Sequence, residues 1–243
     1  MWLEVKNISK RFDKNEVLKD ISFSLEQGKT LAILGKSGCG KTTLLKIIAG
    51  IIPACEGDVF HQHKLITHLP LNKRNIIYLY QDALLFPHLN VFENIAFGLR
   101  ARKLGEEEIL QKANKLISEL GLTGYENQNP QLLSGGQKQR VAFGRSLIVN
   151  PDCMLLDEPF SSLDFETRTT MQMFYKEMAE KFNITTVFVT HDLKEALIMG
   201  NHFAVMDSGR LTFYKDKSEF INSPETGVMQ EKTFWDNINA DKK

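Results

Sequence analysis

Thr30-Leu31-Ala32-Ile33-Leu34-Gly35-Lys36-Ser37-Gly38-Cys39-Gly40-Lys41-Thr42-Thr43 joins a β-rich run to a glycine-rich turn, and a helical pattern begins near Lys41. Gly35 to Thr42 fit the spacing G-x-x-x-x-G-K-[ST], and the flanking strand and helix are the context that spacing needs. The glycines let backbone N–H groups converge on phosphate oxygens, and the helix adds its positive N-terminal end. Lys41 neutralises β/γ charge and Thr42 offers a hydroxyl to Mg²⁺. Gly35, Ser37, Gly38, Cys39, Gly40, Lys41, Thr42 and Thr43 are therefore the candidate residues for a nucleoside triphosphate. The other reading is a glycine-rich turn that only fits the pattern.

Outward from this stretch, short β-rich runs such as Ile76 to Tyr80 alternate with turns, and Met1 to Lys10 reads as a strand. Between about Gln81 and Asn150 helical periodicity takes over, as in Glu106 to Leu120, where Ile109, Leu110, Ala113, Leu116, Ile117 and Leu120 are the apolar positions. Buried-type strands Cys153 to Leu156 and Thr185 to Val189 then flank a helical run from about Glu166 to Phe182. No repeat or linker separates these regions, so the helical block is an insertion into one α/β core. The expected division is a core with a β subdomain in 1–81 and 151–215, a helical subdomain in 82–150 and a short tail in 216–243 with a helix or two.

Lys plus Arg and Asp plus Glu are balanced at 30 each, which favours neither nucleic acid nor an acidic membrane as partner. Cys39, Cys55 and Cys153 show no ligand spacing, and an odd, sparse set argues against a disulfide framework, so a reducing cytoplasm is expected. No window has the uninterrupted apolar length of a membrane span, and Met1 to Lys10 is unlike a signal peptide. Any membrane path is expected to come from other chains.

Two further motifs follow the first. Met154-Leu155-Leu156-Asp157-Glu158-Pro159 is an apolar strand ending in two acids, Asp157 placed to hold a Mg²⁺ shell and Glu158 to face an attacking water; acids capping a strand at a solvated turn are the plainer alternative. Leu133-Ser134-Gly135-Gly136-Gln137 precedes Lys138-Gln139-Arg140 and an apolar helical run, Val141 to Val149. Exposed N–H donors at a helix start make an anion site, and a Ser N-cap before flexible glycines is the alternative.

With these motifs in this order, the chain resembles the ATP-binding subunits of ABC transporters over roughly residues 3 to 215. The resemblance implies a P-loop NTPase (RecA-like) core with a mainly parallel sheet, an N-terminal antiparallel β subdomain and an inserted α-helical subdomain. It implies ATP and Mg²⁺ as ligands, with Ser134, Gly135, Gly136 and Gln137 binding the γ-phosphate of an ATP held by a second subunit. Gln81 matches the glutamine that touches Mg²⁺ and the water in that family, and His191 resembles its switch histidine. Ser161-Ser162-Leu163-Asp164 resembles the loop that crosses the dimer interface. Phe12 lies where relatives stack an aromatic, most often Tyr, on adenine. From the residues alone Gln81 could be surface decoration, His191 structural, Asp164 a helix N-cap and Phe12 a core residue.

Leu69 to Arg74 and Gln81 to Leu99 look like bacterial importer subunits for spermidine, sulfate, iron, molybdate or maltose. That implies a homodimer or paired ABC subunit with ATP bound, integral membrane permease subunits, a periplasmic or surface substrate-binding protein, and a peripheral place on the cytoplasmic face of the inner membrane. Leu84 to Leu89 would line a groove for a permease coupling helix or pack the helical subdomain. Asn90, His61 and His63 depart from the commonest residues there. The chain ends before the β-rich regulatory domain of many such importers, so regulation through one is not expected. An ABC subunit of an exporter, a soluble ABC ATPase acting on DNA or ribosomes, and a non-hydrolysing ATP-binding module are the alternatives.

Overall fold

The computed structural model describes residues 1–230 and 233. Two compact units divide them: one takes Met1–Tyr78, Cys153–Glu158 and the chain from Gln172 onward, the other Leu79–Asp152 and Pro159–Met171.

In the first unit, β1 (Leu3–Phe12) lies between β2 (Asn15–Leu25) and β4 (Glu56–His61), both antiparallel to it, and the short β5 (Lys64–Leu65) completes a four-stranded sheet in the order β2-β1-β4-β5. Leu3, Val5 and Ile8 are its buried residues, although strict alternation would turn Ile8 outward. A register shift between Val5 and Ile8, with Asn7 at φ +52°, inserts the extra residue that returns Ile8 to the core.

The second sheet of this unit runs β10-β9-β3-β8-β7-β6, built from β3 (Thr30–Leu34), β6 (Ile76–Leu79), β7 (Cys153–Asp157), β8 (Thr185–Thr190), β9 (His202–Asp207) and β10 (Arg210–Tyr214). β3 is parallel to β8 and β9, β7 is parallel to β8, and β10 is antiparallel to β9. β3 and β8 are buried at every residue, which is why they read as unbroken apolar or β-branched runs rather than alternating ones. α1 (Lys41–Ala49) follows β3, and α6 (Leu193–Met199) follows β8. The fold class is thus mixed α/β, with a parallel-rich sheet and an antiparallel one. The tail brings α7 (Lys217–Asn222), whose fully buried Phe220 stacks on Phe203 at 4.9 Å.

α1 is fastened at both ends. Its C-terminus closes on Gly50 in the left-handed region (φ +79°), and the buried Arg74 guanidinium donates to the carbonyls of Ile47 (3.0 Å) and Ile48 (2.9 Å). The same side chain also donates to Leu69 O (2.8 Å) and Thr67 O (2.5 Å), so a cation occupies the negative end of the helix.

The second unit is helical, with α2 (Val91–Ala101), α3 (Glu106–Glu119) and α4 (Gly135–Leu147), and Ala96, Leu99, Ile109 and Ala113 form the buried seam of α2 and α3. α5 (Phe165–Lys181) begins in this unit and ends in the first. The unit extends beyond the expected 82–150, because Pro159–Met171 packs on the start of α4: a Cβ on Gly135 would lie 3.3 Å from Leu163 and one on Gly136 3.0 Å from Thr167.

Candidate active site

In the first unit the candidate residues gather at the C-terminal ends of β3, β7 and β8, the edge of a parallel sheet where the following turns can converge on a ligand. The turn after β3 is held by Gly35 N–H donating to Thr190 O at 3.1 Å, and a Cβ on Gly35 would lie 2.5 Å from Met206 O. Gly40 adopts φ +116°, and a side chain there would meet Leu18 and the Val17 carbonyl at 2.8 and 2.9 Å, so only glycine fits this turn. Gly38, also at positive φ (+81°), has open space where its Cβ would be. Ser37 and Thr42 are exposed and Thr43 half-buried.

Lys41 is buried, and its ammonium donates to Gly35 O (2.7 Å) and Lys36 O (3.0 Å) while lying 3.4 Å from Glu158 Oε1. The carbonyls of the turn thus hold the cation at the turn it serves. Cys39 is half-buried, and burial pushes its thiol up from the ordinary value. Thr42 Oγ1 donates to Asp157 Oδ1 at 2.9 Å.

Glu158 follows β7 in the left-handed region, φ +48°, a conformation a non-glycine residue adopts at a cost. Its N–H donates to Val189 O (3.1 Å), and His191 Nδ1 donates to its Oε2 at 2.6 Å. With a carboxylate accepting at Nδ1, Nε2 is left for a second partner. Phe12 ends β1 with 46% of its surface exposed and the Lys10 ammonium 5.0 Å over its ring, so it is not a core residue.

The second unit holds the other candidates. Ser134 is the N-cap of α4 and forms a reciprocal box with Gln137: Gln137 N–H donates to Ser134 Oγ (3.3 Å) and Ser134 N–H to Gln137 Oε1 (2.9 Å). Helix geometry leaves the first-turn N–H groups of Gly135 and Gly136 without intrahelical acceptors. Asp164 Oδ1 accepts from Thr167 N–H at 3.0 Å, and this donation holds the carboxyl below its usual range. Gln81 is exposed, and its carbonyl accepts from Gln139 Nε2 at 3.4 Å.

A triphosphate and Mg²⁺ suit the first unit's residues. Lys41 and the backbone N–H groups of the turn suit an anion, the space beside Gly38 is open, and the Thr42 hydroxyl with the Asp157 carboxylate is an all-oxygen donor set for a hard cation.

Residues 18–161, more than half of the chain, match the family described as ABC transporter. The chain belongs to that family. It is an ATP-binding ABC ATPase subunit, and the match takes in the glycine-rich turn, the Ser134 to Gln137 segment and the two acids, while Phe12, Asp164 and His191 lie outside it. Among its described residues no helix is long and apolar enough to cross a membrane.

The ABC ATPase also carries supporting side chains that its motifs did not reveal. Tyr78 Oη donates to Asp157 Oδ2 at 2.5 Å. Thr190, beside His191, donates through Oγ1 to buried Glu195 (2.6 Å) and accepts there from Asp192 N–H (2.9 Å), while Gln172 donates to the other Glu195 oxygen (3.2 Å). Fully buried Asn94 donates to the carbonyls of Phe86, Leu89 and Asn90 and accepts from Phe86 N–H, fixing the irregular segment 86–90. Leu84 of that region is 57% exposed, whereas Phe86 packs on Phe97 at 4.5 Å under the Arg145 guanidinium. The Tyr78–Asp157 and Gln172–Glu195 partnerships join positions far apart in the chain, whose pairing has no local sequence pattern.

Proposed function

We propose that this chain is the ATP-hydrolysing subunit of an ABC importer, in which two copies close on two ATP molecules and reopen after hydrolysis. The observation that carries the hydrolytic part is Glu158, held at the end of β7 between the Lys41 ammonium (3.4 Å) and the His191 ring (2.6 Å). Lys41 is the charge partner for the β- and γ-phosphates, and a γ-phosphate competing for it frees one Glu158 oxygen to accept a proton from water. His191 fixes the plane of that carboxylate and keeps Nε2 for the phosphate or the water. Thr42 and Asp157 would hold Mg²⁺, which when bound neutralises charge across the phosphates. Catalysis is then mostly positioning and electrostatics. On the family resemblance alone, Gln81 would be the residue that orients the water and serves the metal, and Phe12 the one that stacks on the adenine.

Ser134, Gly135, Gly136 and Gln137 meet the ATP of the opposite subunit, their support being the Gly135 and Gly136 N–H groups that helix geometry leaves without intrahelical acceptors, and Asp164 lies at the same junction. The importer assignment rests on the likeness of Leu69 to Arg74 and Gln81 to Leu99 to importer subunits. On this reading the exposed Leu84 receives a permease coupling helix, the chain is peripheral on the cytoplasmic membrane face, and a substrate-binding protein serves the complex.

ATPase assays of wild type and Glu158→Gln, with size-exclusion chromatography of each in ATP, test the scheme. The variant is expected to lose turnover by on the order of a hundredfold or more and to elute as an ATP-dependent dimer. An active Glu158→Gln protein would remove Glu158 from the catalytic role.

A further inference from the structure

Asp157 is gripped from two sides. The Thr42 hydroxyl donates to Oδ1 at 2.9 Å and the Tyr78 phenol to Oδ2 at 2.5 Å. The two donors come from different elements of one unit, α1 and β6, and β6 is the sheet neighbour of β7, which Asp157 ends. The Tyr78 ring is half-buried against the core of the two sheets, so its hydroxyl is delivered from an anchored ring rather than a free one.

An Asp carboxylate turns about a broad, roughly two-fold terminal torsion, so a single donor fixes one oxygen and leaves the plane loose. A second donor on the other oxygen fixes the plane. The carboxylate offers about four lone-pair sites, and two neutral donors leave one site on each oxygen, with the negative charge intact, for a metal or its bound water. A lysine in place of Tyr78 would cancel that charge, and a phenylalanine would leave Oδ2 to swing.

We infer that Tyr78 is a positioning residue that sets the Asp157 carboxylate for the Mg²⁺ of the nucleotide complex. The inference rests on the reading of Asp157 as the Mg²⁺-holding residue. Outer-shell partners of ligating carboxylates are worth roughly 10- to 100-fold in metal affinity or activity. Tyr78 therefore acts on the metal-dependent part of nucleotide binding and not on the metal-free part.

The test is calorimetric titration of the full chain with ATP, once in EDTA and once in Mg²⁺, for wild type, Tyr78→Phe and Asp157→Asn, with the Mg²⁺ concentration for half-maximal ATPase activity as a second readout. Tyr78→Phe should bind ATP in EDTA as wild type does, which also shows that it folds. Its gain in affinity on adding Mg²⁺ should shrink by about tenfold, and its half-maximal Mg²⁺ should rise in step. Asp157→Asn should lose the gain altogether. If Asp157→Asn loses it and Tyr78→Phe keeps it, Tyr78 has no such role and the Asp157 reading stands. If Asp157→Asn keeps it, the Asp157 reading falls and the inference with it. An equal loss by Tyr78→Phe in EDTA and in Mg²⁺ would make the phenol a general structural group and overturn the inference.

Discussion

Replacing Arg74 by Met removes a buried guanidinium from the end of α1, the helix whose start is Lys41 of the glycine-rich turn. Arg74 is 5% exposed and donates to four carbonyls, those of Ile47, Ile48, Leu69 and Thr67. A buried acceptor left without its partner costs about 1–3 kcal/mol. Ile47 O retains the Gly50 N–H at 3.0 Å and loses less. The variant also regains the cost of desolvating the guanidinium, and Met fills most of the volume. The net expectation is a loss of about 3–5 kcal/mol, read as a lower urea midpoint at unchanged slope. Gly50 supplies an internal control, since a Cβ there would sit 2.4 Å from the Arg74 Nε. Gly50→Ala should therefore destabilise strongly beside Arg74 and less in the Arg74→Met background, a coupling of about 1 kcal/mol or more in a double-mutant cycle. A loss below about 1 kcal/mol for Arg74→Met, or strict additivity with Gly50→Ala, would refute the clamp.

Thr190→Val keeps the shape but strips the hydroxyl between buried Glu195 and Asp192 N–H; a destabilisation of about 2–4 kcal/mol is expected in urea, and turnover should fall because His191 is the next residue. Asn94→Asp turns a carboxylate toward three carbonyls inside the helical unit and should cost about 3–5 kcal/mol, with limited proteolysis finding new cleavage in 84–90. Burial raises the Cys39 thiol, so less thiolate exists near neutral pH than for a free cysteine. Maleimide should accordingly label exposed Cys55 first, and Cys39 labelling should accelerate only above the ordinary thiol range and be slowed by ATP; equal rates at neutral pH would contradict this.

What the sequence determined by itself was local. The strand, glycine turn and helix of Thr30 to Ala49, the acids closing β7 and the helix start at Ser134 all use neighbours within one or two turns of chain, so composition and spacing suffice to find them. The helical periodicity of Glu106 to Leu120 matched α3 (Glu106–Glu119) for the same reason. The edge strand β10 went unseen, since half-exposed residues such as those of Arg210–Tyr214 gain their identity from β9 beside them. So did the extension of the helical unit to Pro159–Met171, which depends on how closely two glycines let segments approach. Only the tertiary structure brought Tyr78 to Asp157 across 79 positions, Arg74 to Ile47 across 27 and His191 to Glu158 across 33. Such pairs leave no periodic trace, because a hydrogen bond depends on where the sheet places two side chains and not on how far apart they stand in the chain.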